Sequence, residues 1–545
     1  MKIALCQLDY HVGNFELNTA KIINAIKEAK KKGADLAVFA ELAVCGYPPR
    51  DFLEFHHFVA LCEQSVEEIA SHCHDIAAIV GAPSINPVHE GKDLFNSAYF
   101  LEYGRVRQII HKTLLPNYDV FDEYRYFEPN TIFSCIEFMG CKIALTICED
   151  LWNIDDNPLY RLEPMRKLKA ERPDIAINIA ASPFSFTHDE KRTEILTKNA
   201  KKYGVPFFYV NHVGAQTELI FDGGSTITLP SGDIYKMKFF EELIEVFDVD
   251  AVKAGEGAAP NIYHNKTKLI YEALRMGVQD YFRKQNFQKA VLGLSGGIDS
   301  AVVYAIAVKA LGSENVLPVL LPSAFTSKPS VDDALEMVKT LKTPHQIISI
   351  VEAQNAFLDT LSYAFNGLPQ NITEENLQAR VRGTILMALA NKLGLILLNT
   401  SNKSELAVGY STLYGDSIGG LSVIGDVYKT EVYALANYLN QEFGNIIPEN
   451  IITRAPTAEL RPDQKDTDSL PPYETLDPIL FQYIENRKGP QEIVNMGYEK
   501  ELVDKILKLV NQSEWKRFQA PPILRVSDKA FGMGRRLPIV AKYLA

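Results

Sequence analysis

Gly293-Leu294-Ser295-Gly296-Gly297-Ile298-Asp299-Ser300 follows the apolar run Ala290-Val291-Leu292 and precedes Ala301-Val302-Val303-Tyr304-Ala305-Ile306-Ala307-Val308. The order predicts a strand that ends in a glycine loop and opens a helix. Such a loop can hold phosphate. Small residues let the backbone approach an anion, Ser295 and Ser300 offer hydroxyls, and the first N–H groups of the helix point at the ligand. No Lys-Ser/Thr pair closes the loop as a Walker A site requires, and the glycines do not fit the dinucleotide fingerprint. Asp299 instead puts a carboxylate where a magnesium ion could sit beside the phosphates. The pattern favours ATP cleaved to release pyrophosphate over an ordinary glycine turn.

Working outward, 545 residues exceed the size at which one core keeps growing, so two or more domains are expected. With 47% hydrophobic and 23% charged residues the composition is that of a globular protein, and nothing in it suggests disorder. A formal net charge of -12 opposes nonspecific binding to nucleic acid or anionic membrane. Seven cysteines without paired metal-ligand spacing argue against zinc. The start, Met1-Lys2-Ile3-Ala4-Leu5-Cys6, reads as a strand and not a signal peptide, so the reducing cytoplasm is expected. No apolar stretch is long enough to cross a bilayer.

In the first half, strand-like runs end at Glu41, Cys148 and Ser182, with helical segments such as residues 18–32 between them. Reactive side chains at strand ends are where open α/β sheets expose their chemistry. The small, flexible sequence near residues 250–260 reads as a linker, which divides the chain into domains 1–250 and 266–545 joined by 251–265. The second half opens with a helix over 266–283. It then repeats a strand–helix rhythm through 316–321 and 395–398, which predicts a doubly wound parallel sheet. The charged, proline-containing stretch 461–472 reads as a mobile loop.

Cys148 follows Lys142-Ile143-Ala144-Leu145-Thr146-Ile147, a placement that can hold a thiol on a sharp turn, although a lone cysteine is more often structural. Glu41 closes the run 34–40, and Lys112 opens Lys112-Thr113-Leu114-Leu115-Pro116 with Glu123 just beyond. Singly, each is as readily a satisfied surface charge. Together, in this order, the three segments resemble the nitrilase, or carbon–nitrogen hydrolase, superfamily. That resemblance implies an αββα sandwich over about the first 250 residues. It also implies Glu41 as general base, Cys148 as nucleophile, Lys112 as the group that stabilises the tetrahedral intermediate, and Glu123 as support for Lys112. In glutamine-using relatives the substrate is gripped at positions that correspond to Tyr118 and Ser182; a lysine six residues after that serine is here His188, with Lys191 nearby.

The glycine loop resembles that of the N-type ATP pyrophosphatases, which activate a substrate oxygen by adenylation. Downstream, 375–382 places Asn376, Arg380 and, less directly, Arg382 on one helical side, which a solvated face would also explain. The segments 398–405, 409–416, Lys429-Thr430 and 454–460 each have an ordinary loop reading. In this order they look like the NAD synthetases, and fusion to a nitrilase-like domain resembles the glutamine-dependent form of that family. The resemblance implies ATP contacts from Gly293, Leu294, Ser295, Gly296, Gly297, Ile298, Asp299, Ser300, Thr400, Lys429 and Thr457. It further implies Mg2+ at Asp299 and Glu405, and deamido-NAD contacts from Asn376, Arg380, Glu405 and Lys516. Leu413 departs from the shorter, ammonia-using relatives, which tend to carry lysine there.

The substrates so implied are L-glutamine, ATP and deamido-NAD, with ammonia conveyed internally, and relatives suggest a homo-oligomer. Two alternatives stay open at this point: another acceptor acid, since related enzymes amidate xanthylate or aspartate or modify RNA bases, or a scaffold with decayed sites.

Overall fold

The computed structural model describes residues 1–154, 159–256, 265–462, 464–468 and 470–544. The chain divides into two compact units, Met1–Tyr263 and His264–Ala545.

The first unit is built on two six-stranded sheets. One runs in the order Leu243–Asp248, Lys2–Gln7, Leu36–Val38, Ala77–Ile85, Leu94–Glu102, Arg105–His111; the other in the order Ile234–Lys236, Thr226–Thr228, Phe207–Asn211, Ile175–Ala180, Cys141–Ile147, Ile136–Phe138. Strand alternation sorts the layers. Ile3 and Leu5 join a core with Leu145, Ile177 and Phe208 of the facing sheet. Ala4 and Cys6, one residue out of phase, pack with Ile22 and Ile26 of helix Phe15–Lys31 and Val66 of helix His56–Ala70. Helix His188–Tyr203 covers the second sheet through Ile195, Leu196 and Ala200. The result is an αββα sandwich. Helix Phe15–Lys31 starts earlier than its apolar period suggests because the Asn14 side chain caps it at Leu17 N.

The second unit carries a five-stranded parallel sheet in the order Gln346–Ile347, Val316–Leu320, Ala290–Gly293, Ile396–Asn399, Leu421–Ser422. Strand order reverses beside Ala290–Gly293, so its C-terminal end opens at a topological switch point, where open α/β sheets bind ligands. Ile298–Leu311 is buried almost all round, as its unbroken apolar sequence requires. A separate apolar cluster joins Leu406, Leu476, Leu480, Ile506 and Leu507 of the C-terminal helices.

Helix Val249–Lys253 reaches into the segment read as a linker, whose residues 257–264 lie outside the described ones. The stretch read as a mobile loop is partly built: Asp466–Asp468 is a 3-10 turn, and Asp466 is buried, accepting a 3.0 Å hydrogen bond from the Tyr473 hydroxyl. Residues 463 and 469 of that loop are outside the described set.

Candidate active sites

In the first unit the chemistry gathers just past strand ends. Glu41 lies in the turn after Leu36–Val38, which rests directly on Gly81: a Cβ there would come within 2.3 Å of Leu42 N and 2.5 Å of Ala40 O. Glu41 and Lys112 are fully buried, and Lys112 Nζ donates to Glu41 Oε1 at 2.7 Å and to both Glu123 oxygens at 2.9 and 2.8 Å. Burial opposes the Lys112 charge, but Glu123 and Glu41 outweigh it and hold the ammonium well above the ordinary lysine value. Asn96 Nδ2 donates to Glu41 Oε1 at 2.7 Å, Tyr47 donates to Glu123 at 2.9 Å, and Ala181 N donates to Glu41 Oε2 at 2.9 Å.

Cys148 starts the turn after Cys141–Ile147 with φ of 43°, a left-handed conformation that costs a non-glycine residue energy. Asp150 ties this turn to the lysine segment, accepting from Ile147 N at 3.0 Å and from Thr113 N and Leu114 N at 3.0 and 2.8 Å. Burial and then the Glu41 charge push the Cys148 thiol well above its ordinary value, with Lys112 acting the other way. Among the charges around the sulfur, Glu41 is the carboxylate that acts on it most strongly.

Around this cluster, Tyr118 donates to Glu149 at 2.9 Å and Tyr160 does so at 3.0 Å. Burial pushes the Glu149 carboxyl up to about 7, against Lys112 and the two phenols. Ser182 Oγ and His188 Nε2 are 2.7 Å apart, and the His188 ring stacks on Trp152 at 5.1 Å. Thus His188, not the exposed Lys191, meets the serine.

In the second unit, Gly296 has φ of 79° and lies so close to Ser330 that a Cβ would be 2.3 Å from its carbonyl oxygen. Ser295 Oγ accepts from Gly297 N at 3.2 Å and lies 3.1 Å from Ser300 Oγ, so the loop is braced internally. Two cavities open there. One, of about 270 Å³, is lined by apolar residues such as Val319, Leu386 and Leu397. The other, of about 210 Å³, is lined by the loop and by Asp299, Glu405, Lys429 and Asp466. Ser295 and Thr400 line both. Every residue singled out for ATP lines at least one of them. An apolar pocket beside a polar cradle suits a base and its phosphates.

Lys429 Nζ bonds Asp299 and lies 3.5 Å from Glu405; Asn402 Nδ2 donates to Asp299 at 2.9 Å. Burial, then the Asp299 charge, push Glu405 up to about 8, with Lys429 opposing. Among the described residues no cluster of three or more His, Cys, Asp or Glu forms a metal cage. Two carboxylates in mutual repulsion beside a phosphate cradle nonetheless fit magnesium, which takes one or two carboxylates and completes its shell with phosphate and water.

Asn376, Arg380 and Lys516 converge elsewhere, on the segment 409–413. Thr412 Oγ1 donates to Asn376 Oδ1 at 2.8 Å, Arg380 Nε to Leu413 O at 3.3 Å, and Lys516 Nζ to Gly409 O and Ser411 O at 2.8 and 3.0 Å. None of the three lines the two cavities, whereas Arg382 lines the larger one.

Residues 270–520 match the NAD synthase family and residues 2–256 the carbon-nitrogen hydrolase family. Over 99% of its length the chain is 44% identical to the glutamine-dependent NAD(+) synthetase of Synechocystis, covering 99% of that protein, and 41% identical to that of Acinetobacter baylyi, covering 98%. The chain belongs to the glutamine-dependent NAD(+) synthetases. A solved glutamine-dependent NAD+ synthetase from Acinetobacter baumannii, in complex with adenosine diphosphate, superposes with a TM-score of 0.79 at 38% identity, over 99% of this chain and 98% of that one.

Several polar residues of this synthetase escape a sequence reading: Asn96, Glu149, Tyr160 and Asn211 in one site, Asn402 and Asp466 in the other. Glu149 and Asn402 do carry a signal, one adjoining Cys148 and the other preceding a helix as an N-cap. The rest reach their sites from distant strands and loops and carry none.

Proposed function

We propose that the chain forms NAD+ by amidating deamido-NAD with nitrogen from L-glutamine, while ATP is split to AMP and pyrophosphate. The observation that carries this is the presence in one chain of both a buried acid–amine–thiol cluster and a phosphate cradle edged by Asp299 and Lys429.

In the first unit, taken as the glutaminase domain, Cys148 Sγ attacks the side-chain amide carbon of glutamine as Glu41 takes the thiol proton. Lys112 stabilises the oxyanion, and Glu123 with Tyr47 keeps Lys112 charged and aimed. Collapse expels ammonia, which carries off the proton held by Glu41, and leaves a thioester; water, deprotonated by Glu41, then releases glutamate. Tyr118, Ser182 and His188 grip the substrate, and the Glu149 carboxylate pairs with its ammonium.

In the second unit, the synthetase domain, the nicotinate carboxylate attacks the α-phosphorus of ATP and pyrophosphate leaves. Gly293 to Ser300, Thr400 and Thr457 hold ATP, and Lys429 neutralises developing charge. Asp299 and Glu405 would hold Mg2+, which supplies charge neutralisation at the phosphates. Ammonia displaces AMP from the mixed anhydride and loses a proton to give the amide. Asn376, Arg380, Lys516 and Glu405 contact deamido-NAD, a reading supported by the convergence of the first three on the 409–413 segment. Ammonia passes within the protein, which we take to be a cytoplasmic homo-oligomer; among the described residues no helix is long and apolar enough to cross a membrane.

The test is NAD formation by purified protein given deamido-NAD, ATP and magnesium, with glutamine or ammonium. Stoichiometric NAD, AMP and pyrophosphate is the expected result; glutamine hydrolysis without NAD from either source would sink the proposal.

A further inference from the structure

The end of strand Phe207–Asn211 holds a device that the reaction scheme above leaves unused. Asn211 is fully buried, and its side-chain amide grips one peptide segment from both sides: Oδ1 accepts from Ser182 N at 2.8 Å, and Nδ2 donates to Ser182 O at 3.2 Å. Nδ2 also lies 3.1 Å from Gly223 O and 3.3 Å from Asp222 Oδ1. Asp222 is itself fixed, since the buried Arg192 guanidinium donates to its two oxygens at 3.0 and 2.8 Å.

The gripped segment matters because of its neighbour. Ala181 N–H donates to Glu41 Oε2, while Oε1 is taken by Lys112 and Asn96. Glu41 therefore has one oxygen fixed by the amine and one by the 181–182 backbone. His212, next to Asn211, has its Nε2 2.7 Å from the Glu41 carbonyl oxygen, so the same strand end braces the base twice.

We propose that Asn211 is a positioning residue for the glutaminase reaction: its amide clamps the Ser182 peptide, which aims the Ala181 N–H and so sets the carboxylate of Glu41 against the Cys148 thiol. It touches neither substrate nor sulfur. The inference rests on Glu41 acting as base, as proposed above. A polar group replaced at the clamp leaves Ser182 N–H and C=O without their buried partner and frees the segment to shift. Misplacement of a catalytic group by about 1 Å can cost on the order of 10²-fold in rate.

The test uses the full chain with Asn211→Leu, nearly isosteric but apolar, and Asn211→Ala, which leaves only a small void. In both, kcat with glutamine should fall by about 10²-fold and NAD formation from ammonium should be unchanged. The loss should fall on kcat and leave KM for glutamine little changed, a split that a merely structural role would not give. Unchanged glutamine turnover in either variant, a rise in KM alone, or proportionate loss of both nitrogen routes in both variants would overturn the proposal. Failure of the underlying reading is distinguishable, because then the unaltered protein would already form no NAD from glutamine.

Discussion

At the scale of single residues, the separation of roles gives the sharpest expectations. On the proposed scheme Cys148→Ala removes the sulfur that forms the thioester, so glutamine-supported NAD formation should vanish while the ammonium route persists; parallel assays with the two nitrogen sources check this. Glu149 yields a pH prediction. Its carboxyl is raised to about 7 by burial, so it is ionised only above that, and only the ionised form pairs with an ammonium. KM for glutamine should fall as pH rises through about 7, and Glu149→Gln should raise KM about tenfold or more and flatten the profile. Linkage has the matching sign: with a raised folded value, the stability this group contributes at low pH is lost as pH rises through about 7. Bound glutamine, which compensates the ionised form, should therefore shift the melting temperature more at about pH 8 than at about pH 6. In the sequence Glu41 and Cys148 stand at the ends of apolar runs and Lys112 opens another segment, and only their order together marks them out; Asn96 and Asn211 carry no such mark, being polar residues whose partners lie tens of residues away.

At the scale of elements, the glycine loop is a junction with no slack. Gly296 combines positive φ with a Cβ position 2.3 Å from the Ser330 carbonyl oxygen, so Gly296→Ala must displace backbone. NAD formation should drop equally with glutamine and with ammonium, with KM for ATP raised; ammonium assays at graded ATP measure it. The strand, loop and helix were legible because glycines, strand and helix all agree locally. The helix Ile372–Leu393 was legible only in part. The i, i+4 spacing puts Asn376 and Arg380 on one side but does not say what that side meets, which is the 409–413 segment. Stretch 461–472 misled for the opposite reason: its charges and prolines read as solvent-loving, yet Tyr473 draws Asp466 into a buried position.

At the scale of the whole molecule, one chain makes a nucleophile that bulk water would protonate and consumes it in a second reaction. Given glutamine labelled with 15N in its amide and excess unlabelled ammonium at neutral pH, the NAD formed should carry mostly 15N, read by mass spectrometry; equilibration with the ammonium pool would refute internal transfer. The cysteines bear on the same molecule's endurance. All seven are free thiols, and five are buried. Peroxide and other electrophiles attack thiolates far faster than thiols. Burial and the Glu41 charge both push the Cys148 thiol up, so peroxide should oxidise its sulfur more slowly than that of an exposed cysteine, a rate that mass spectrometry reads. The reluctance of its sulfur to ionise would thus double as armour against oxidants.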